Sequence, residues 1–205
     1  MKQGKFIALE GTEGVGKSTQ VKLLCEYLEK KGVPYVLTRE PGGCDISEKI
    51  RNIILDGNNT TMTDQTEALL YAASRTQHLE EVILPNLAKG KLVVCDRYVF
   101  SSIAYQGYGR GILEFVEKAN SHAIATRLPD LNIFLDLSPQ EAFKRKGGAD
   151  KSDRLETSGD EFFERVYKGF KILATRDDFA TIDTRGNVEE TFALIVKAME
   201  EREII

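Results

Sequence analysis

Short apolar runs punctuate the chain at 5–10 (KFIALE), 35–38 (YVLT), 92–95 (LVVC), 133–137 (IFLDL) and 179–182 (FATI). Runs of this length bounded by breakers read as strands buried on both faces. Between them the apolar positions change period. Segment 17–31 sets Val21, Leu24, Cys25 and Leu28 at helical spacing, and Gly32 is placed to close that helix. Pro41-Gly42-Gly43 breaks the chain after the second run. About five strands alternating with helices predict an α/β fold, a mainly parallel sheet covered on both faces. The longest helical pattern spans 64–89, with Thr63 as N-cap and Pro85 as a kink or break near its end. The pattern fails most clearly at 144–158 (KRKGGADKSDRLETS), where charges and Gly-Gly read as a solvated loop. No repeat, low-complexity tract or composition shift divides the chain, so one domain over 1–205 is expected.

Composition narrows the classes of function. With 28 basic and 32 acidic residues among 205, the net charge of -4 provides no general attraction for nucleic acid or an anionic membrane surface, so neither is an expected partner. No apolar run approaches the ~18 residues that cross a bilayer, and no secretory pattern follows Met1, so a cytoplasmic protein is expected. Cys25, Cys44 and Cys95 form no C-x-x-C pair and read as buried free thiols.

The first strand leads into Gly11-Thr12-Glu13-Gly14-Val15-Gly16-Lys17-Ser18, a match to G-x-x-x-x-G-K-[ST] that opens a helix. In that setting backbone N–H groups and the helix dipole converge on phosphates, and glycines let the main chain approach them. The loop 11–19, ending at Thr19, is therefore the expected ATP site. Lys17 should reach the terminal phosphates and the Ser18 hydroxyl should hold Mg²⁺.

A phosphate loop alone leaves switch GTPases, ATP-driven machines and small-molecule kinases open. The single D-x-x-G falls at 183–186, no N-K-x-D motif occurs, and there is no second nucleotide module. A kinase of something small remains. The third run ends in Asp96-Arg97-Tyr98, an acid and a base at the strand edge where the loop sits, so both should flank the reacting phosphates.

At this point the chain resembles the thymidylate kinase family of bacterial type. The resemblance rests on GTEGVGKST (11–19), TREPGG (38–43), EALLYAASRTQH (67–78), DRYVFSSIAYQGYGRG (96–111), PDLNIFLDL (129–137) and DRLE (153–156). It implies a P-loop, doubly wound sheet of five parallel strands, a mobile lid at about 144–158, ATP-dependent phosphorylation of dTMP to dTDP with Mg²⁺, and a homodimer. It also implies roles. Tyr71 stands where these enzymes place a Phe that stacks on thymine, Arg75 would donate to a base carbonyl, and Gln106 would pair with the imide edge. Ser102 would lie near base or phosphate, Tyr105 would cover the sugar at its 2' carbon, and Glu13 would accept from the 3'-hydroxyl. Glu40 and Arg51 resemble groups around the acceptor phosphate and its metal water, and Asp96 with Ser18 the metal site. Read from spacing alone, Leu70 and Tyr71 also fit helix core, Arg75 fits a solvated charge, and His78 and His122 fit ordinary surface or core histidines.

In one branch of this family the loop carries an Arg after its acid, and Gly14 stands there in this chain. The missing cation is then expected from the lid, where Lys144, Arg145, Lys146, Lys151 and Arg154 are available, with Arg145 and Arg154 the catalytic candidates beside Lys17 and Arg97. Two other readings stay open: a kinase of another small monophosphate, and a protein that binds ATP without turning it over.

Overall fold

A computed structural model describes residues 3–147, 155 and 158–205. The five apolar runs form strands β1 (Phe6–Glu10), β2 (Tyr35–Arg39), β3 (Leu92–Asp96), β4 (Leu131–Asp136) and β5 (Phe179–Asp183). All neighbours pair in parallel, in the order β2-β3-β1-β4-β5. Alternation along β1 splits the core. Phe6 and Ala8 face one layer with Val93, Cys95 and Phe134; Ile7 and Leu9 face the other with Val94, Ile133 and Leu135. Each such fully buried large side chain is worth roughly 1.5–3 kcal/mol relative to exposure.

The second layer is closed by α1 (Lys17–Lys31), which ends at a left-handed Gly32, and by the last helix of the chain. The first layer is covered by α2 (Asp45–Leu55), α3 (Asp64–His78) and α4 (Leu84–Ala88). The short helices α5 (Val99–Ser102), α6 (Leu113–Ala119) and α7 (Ser121–Thr126) lie on the same side. After β4 come α8 (Pro139–Lys146), α9 (Asp160–Leu173) and α10 (Val188–Glu201), the last packing with α1. Among the described residues no helix is long and apolar enough to cross a membrane. Cys25, Cys44 and Cys95 are free thiols, but only Cys95, on the central part of the sheet, is buried as expected; Cys25 and Cys44, on and beside helices at the surface, are half-buried.

The long pattern at 64–89 is not broken at Pro85. Thr63 Oγ1 caps α3 by accepting from Thr66 N. The helix then passes through a π-helical turn, Leu79–Ile83, in which Leu84 N–H bonds Leu79 O. Widening the turn ahead of the proline changes the register, so Pro85 falls in the first turn of α4, where its missing N–H costs no helical bond. A second π-helical segment, Ile103–Gly109, continues α5.

The segment expected as a loop at 144–158 starts inside a helix. Lys144, Arg145 and Lys146 form the last turn of α8, which Ser138 caps and Gly147 ends. Residues 148–154, including Lys151 and Arg154, and residues 156–157 lie outside the described residues.

The winding runs outward from β1 to β2, back through β3, then across to β4 and β5, so strand order reverses at β1. The carboxyl ends at such a reversal open a crevice. Leu9 and Arg39 are both in register with Asp96, which puts the residues after β1, β2 and β3 side by side at that edge.

Candidate active site

The glycine loop after β1 folds as the strand and helix around it require. Val15 is buried in the core and pins the loop from below, while Gly16 leads into α1 from a left-handed conformation. Lys17, the first residue of α1, turns back so that Nζ donates to Gly11 O at 3.1 Å and Thr12 O at 2.9 Å. Burial, with repulsion from Arg97, outweighs Asp96, Glu13 and Glu10 and pulls its pKa down to about 8. A desolvated ammonium at the start of a helix favours an anion beside it.

Arg97 reaches over this loop. Its backbone is left-handed, φ 70°, uncommon for a side chain of this size. Two hydrogen bonds to β1 hold that turn: Arg97 N to Leu9 O at 2.9 Å and Tyr98 N to Glu10 Oε1 at 2.9 Å. Glu10 Oε2 also accepts from Ser101 Oγ at 2.5 Å. Fully buried, Glu10 has its pKa pushed up to about 7 by desolvation, against the pull of Ser101, Arg97 and Tyr98 N–H. The turn aims the guanidinium so that Nη1 donates to Gly11 O at 2.8 Å and Nη2 to Glu13 Oε1 at 2.7 Å. Tyr105 Oη donates to the other Glu13 oxygen at 2.7 Å. Burial raises the Glu13 pKa, but Arg97, Lys17 and Tyr105 overcome it and hold the carboxyl below its usual range.

These groups border a cavity of about 520 Å³. Its lining includes the loop residues Glu13, Gly14, Gly16, Lys17, Ser18 and Thr19, with Asp96 and Arg97. It also includes Tyr71 and Arg75 of α3, Ser102, Tyr105 and Gln106, and Glu40 and Arg51. Gly11, Thr12 and Val15 of the loop do not line it. Arg145 and Lys146 of α8 also line it. Arg145 Nη2 is held by Thr184 O at 2.9 Å. Arg154 has no described position.

Two of the expected residues are braced from behind. Arg75 is 2% exposed, so it is not a solvated charge. Nε donates to Glu40 at 2.7 Å, Nη1 to Ser102 Oγ at 3.0 Å and Asn120 Oδ1 at 2.5 Å, and Nη2 to Tyr98 O at 3.2 Å. Four of its five N–H bonds are thereby engaged. Glu40 likewise holds Arg75 and, at 2.9 Å, His78 Nδ1, so its carboxylate braces the wall it helps to line. His78, expected as an ordinary histidine, is fully buried in that brace, with Nε2 2.6 Å from Thr38 Oγ1. Its position was legible: Glu67, Tyr71, Ser74, Arg75 and His78 fall on one helical stripe, and all are buried. Glu10 had no local signal of its role, because the groups it holds, Tyr98 N and Ser101 Oγ, are 88 and 91 residues away. His122 is exposed, against Glu80.

The donor set fits a nucleotide-bound divalent cation. Asp96 Oδ1 is buried without a hydrogen-bond partner among the described residues, and Asp96 lines the cavity with Ser18. Among the described residues no three His, Cys, Asp or Glu side chains gather to cage a metal by themselves. A cation there would draw most of its ligands from phosphate and water, as Mg²⁺ does.

A family model described as thymidylate kinase matches residues 9–195. The chain is 46% identical to the thymidylate kinase of Finegoldia magna over 202 residues, covering 98% of this chain and 100% of that protein. It is 46% identical to the thymidylate kinase of Caldanaerobacter subterraneus over 97% of this chain and 96% of that one. The thymidylate kinase of Clostridium novyi is 47% identical over 84% and 86%.

Proposed function

We propose, from the premise that this chain belongs to the thymidylate kinase family, that it transfers the γ-phosphoryl group of ATP to the phosphate of dTMP, giving ADP and dTDP. The observation that carries the reading is that one cavity is lined both by phosphate-binding groups, Lys17 and Arg97, and by an aromatic and an amide, Tyr71 and Gln106.

The acceptor is a phosphate oxygen, anionic at pH 7, so no general base is needed, which agrees with Glu13 and Asp96 being arranged among cations. Catalysis then consists of aligning two anions and meeting charge on the transferring group. The loop amides and Lys17 bind the donor phosphates. On nucleotide binding, Lys17 exchanges two carbonyls for phosphate oxygens. Arg97, already fixed by Gly11 O and Glu13, meets the space between donor and acceptor without reorganising. Ser18 and Asp96 would hold Mg²⁺, which would supply positive charge to offset that of the donor phosphates. Glu13 and Tyr105 form the sugar side of the acceptor site, Tyr71 the base face, and Arg51 the acceptor-phosphate rim. Arg145, and Arg154 from the 144–158 segment acting as a lid, supply the remaining cation as that segment closes over the donor. The chain acts as one domain in the cytoplasm and as a homodimer; exposed Ile46 and Ile53 on α2 and Leu69 on α3 suit a self-association face.

The test is a coupled assay of ADP release with ATP and a panel of nucleoside monophosphates. The highest kcat/KM is expected for dTMP. A higher value for a purine monophosphate or dCMP, or no turnover of any member by folded protein, overturns the reading.

A further inference from the structure

Glu67 is completely buried on α3, one turn before Tyr71. A carboxylate is costly to bury unless it is paired. Its partner is Arg110, whose Nη2 lies 3.2 Å from Oε2 and whose Nε lies 3.4 Å from Oε1. Arg110 is itself held by stacking over Phe162 at 4.5 Å and by donating to Ser158 Oγ at 3.2 Å. The ion-paired carboxylate can only accept hydrogen bonds.

That fixes a second side chain. Gln106 Nε2 donates to Glu67 Oε1 at 2.9 Å. A glutamine amide is ordinarily free to turn over and exchange its oxygen and nitrogen. Here the turned amide would set its oxygen against the oxygen of a fully buried carboxylate, a repulsive pair. Gln106 is 1% exposed and lines the cavity, so what it offers there is Oε1 beside the second Nε2 proton, in one order only.

We propose that Glu67 is a specificity-determining positioning residue: by locking the Gln106 amide it makes the cavity read an imide edge, N–H beside C=O, and reject the reversed edge of cytosine, ring nitrogen beside amino group. The inference rests on the dTMP reading of the cavity. Turned over, the same amide would accept cytosine at the same ring position, so the carboxylate behind it decides the preference. Discrimination comes from the penalty on the wrong orientation as much as from bonds to the right base.

The experiment compares kcat/KM for dTMP and dCMP in wild type, Glu67→Gln, Gln106→Leu and the double variant, with ATP KM measured alongside. In Glu67→Gln the neutral amide tolerates either face of Gln106. The dTMP-to-dCMP ratio should fall by about tenfold or more, the scale of one bidentate base contact, with the change in monophosphate KM and not in ATP KM. In the Gln106→Leu background the same substitution should cause no further fall, because the effect passes through Gln106. An unchanged ratio in folded Glu67→Gln, or an equal fall in both backgrounds, overturns the proposal. Wild-type protein that uses dCMP as well as dTMP overturns the base assignment instead, and is measured first. Should Glu67→Gln not fold, the wild-type chain still decides. The Gln106 side-chain amide, identified by its disappearance in the NMR spectrum of Gln106→Leu, should exchange with solvent far more slowly than exposed glutamines; exchange at their rate refutes the lock.

Discussion

Gly14 lies so close to α8 that a β-carbon on it would stand 2.2 Å from the carbonyl oxygen of Ala142. Its φ of 80° is also in the left-handed region. The phosphate loop and the helix that bears Arg145 are thus in backbone contact, and no side chain at 14, arginine included, fits without moving α8. The sequence difference that put the catalytic cation in question has a packing cause.

Gly14→Ala should therefore be damaging despite its small size. Strained φ alone costs about 1–2 kcal/mol, and displacement of α8 adds to it. A lower Tm with a raised ATP KM is expected. Wild-type values for both would show that the loop tolerates the shift.

Tyr71 belongs both to the core and to the cavity wall. Tyr71→Ala should weaken dTMP binding by ~1–3 kcal/mol, by analogy with base stacking on aromatics. ATP affinity should barely change. Calorimetry showing equal losses for both nucleotides would make Tyr71 a packing residue only.

Tyr105 separates into ring and hydroxyl. The ring packs edge-on against Phe162, Phe163 and Phe170, and the hydroxyl holds Glu13. If the ring excludes a ribose hydroxyl, Tyr105→Phe keeps the preference for dTMP over 5-methyluridine monophosphate, whereas Tyr105→Ala relaxes it while losing roughly 3–5 kcal/mol of stability. Equal relaxation in both variants would assign selectivity to the hydroxyl.

Arg145 and Arg154 carry the proposal of a cation delivered on closure. Such a group contacts the transition state more than either ground state, so its loss lowers kcat and kcat/KM together. Arginine fingers in related chemistry are worth ~10³–10⁵ in rate, and neighbouring lysines would reduce the effect of one substitution. Steady-state kinetics on Arg145→Ala, Arg154→Ala and the double variant test this. Wild-type kcat in the double variant would leave Arg97 as the acting cation.

Glu10 links the active-site turn to pH. Its folded pKa of about 7 lies above the ordinary 4.5, so between those values the folded chain keeps a proton that the unfolded chain has lost. Stability from this group is complete below pH 4.5 and is lost as pH rises toward 7, by on the order of 3 kcal/mol. Glu10→Gln, which cannot titrate, should show a flatter profile in urea unfolding across that window. Parallel profiles for the two proteins would assign the pH dependence elsewhere.

Local periodicity and local chemistry carried the strands and the phosphate loop. Five apolar runs became five strands because a strand buried on both faces needs no partner to be recognised, and 11–18 became a phosphate loop because strand, glycines and helix are contiguous. The stripe Glu67, Tyr71, Ser74, Arg75, His78 was also present as spacing, but spacing does not say whether a charge on a helix faces water or a buried counter-ion. Only the tertiary structure decided that. Arg75 meets Glu40 across 35 residues, Arg97 meets Glu13 across 84, and Gln106 meets Glu67 across 39. Each contact depends on strand order and on the crossover that brings three strand ends to one edge. A buried charge is stable only beside its partner, so which arginines brace the site and which remain to act was settled when distant segments came together.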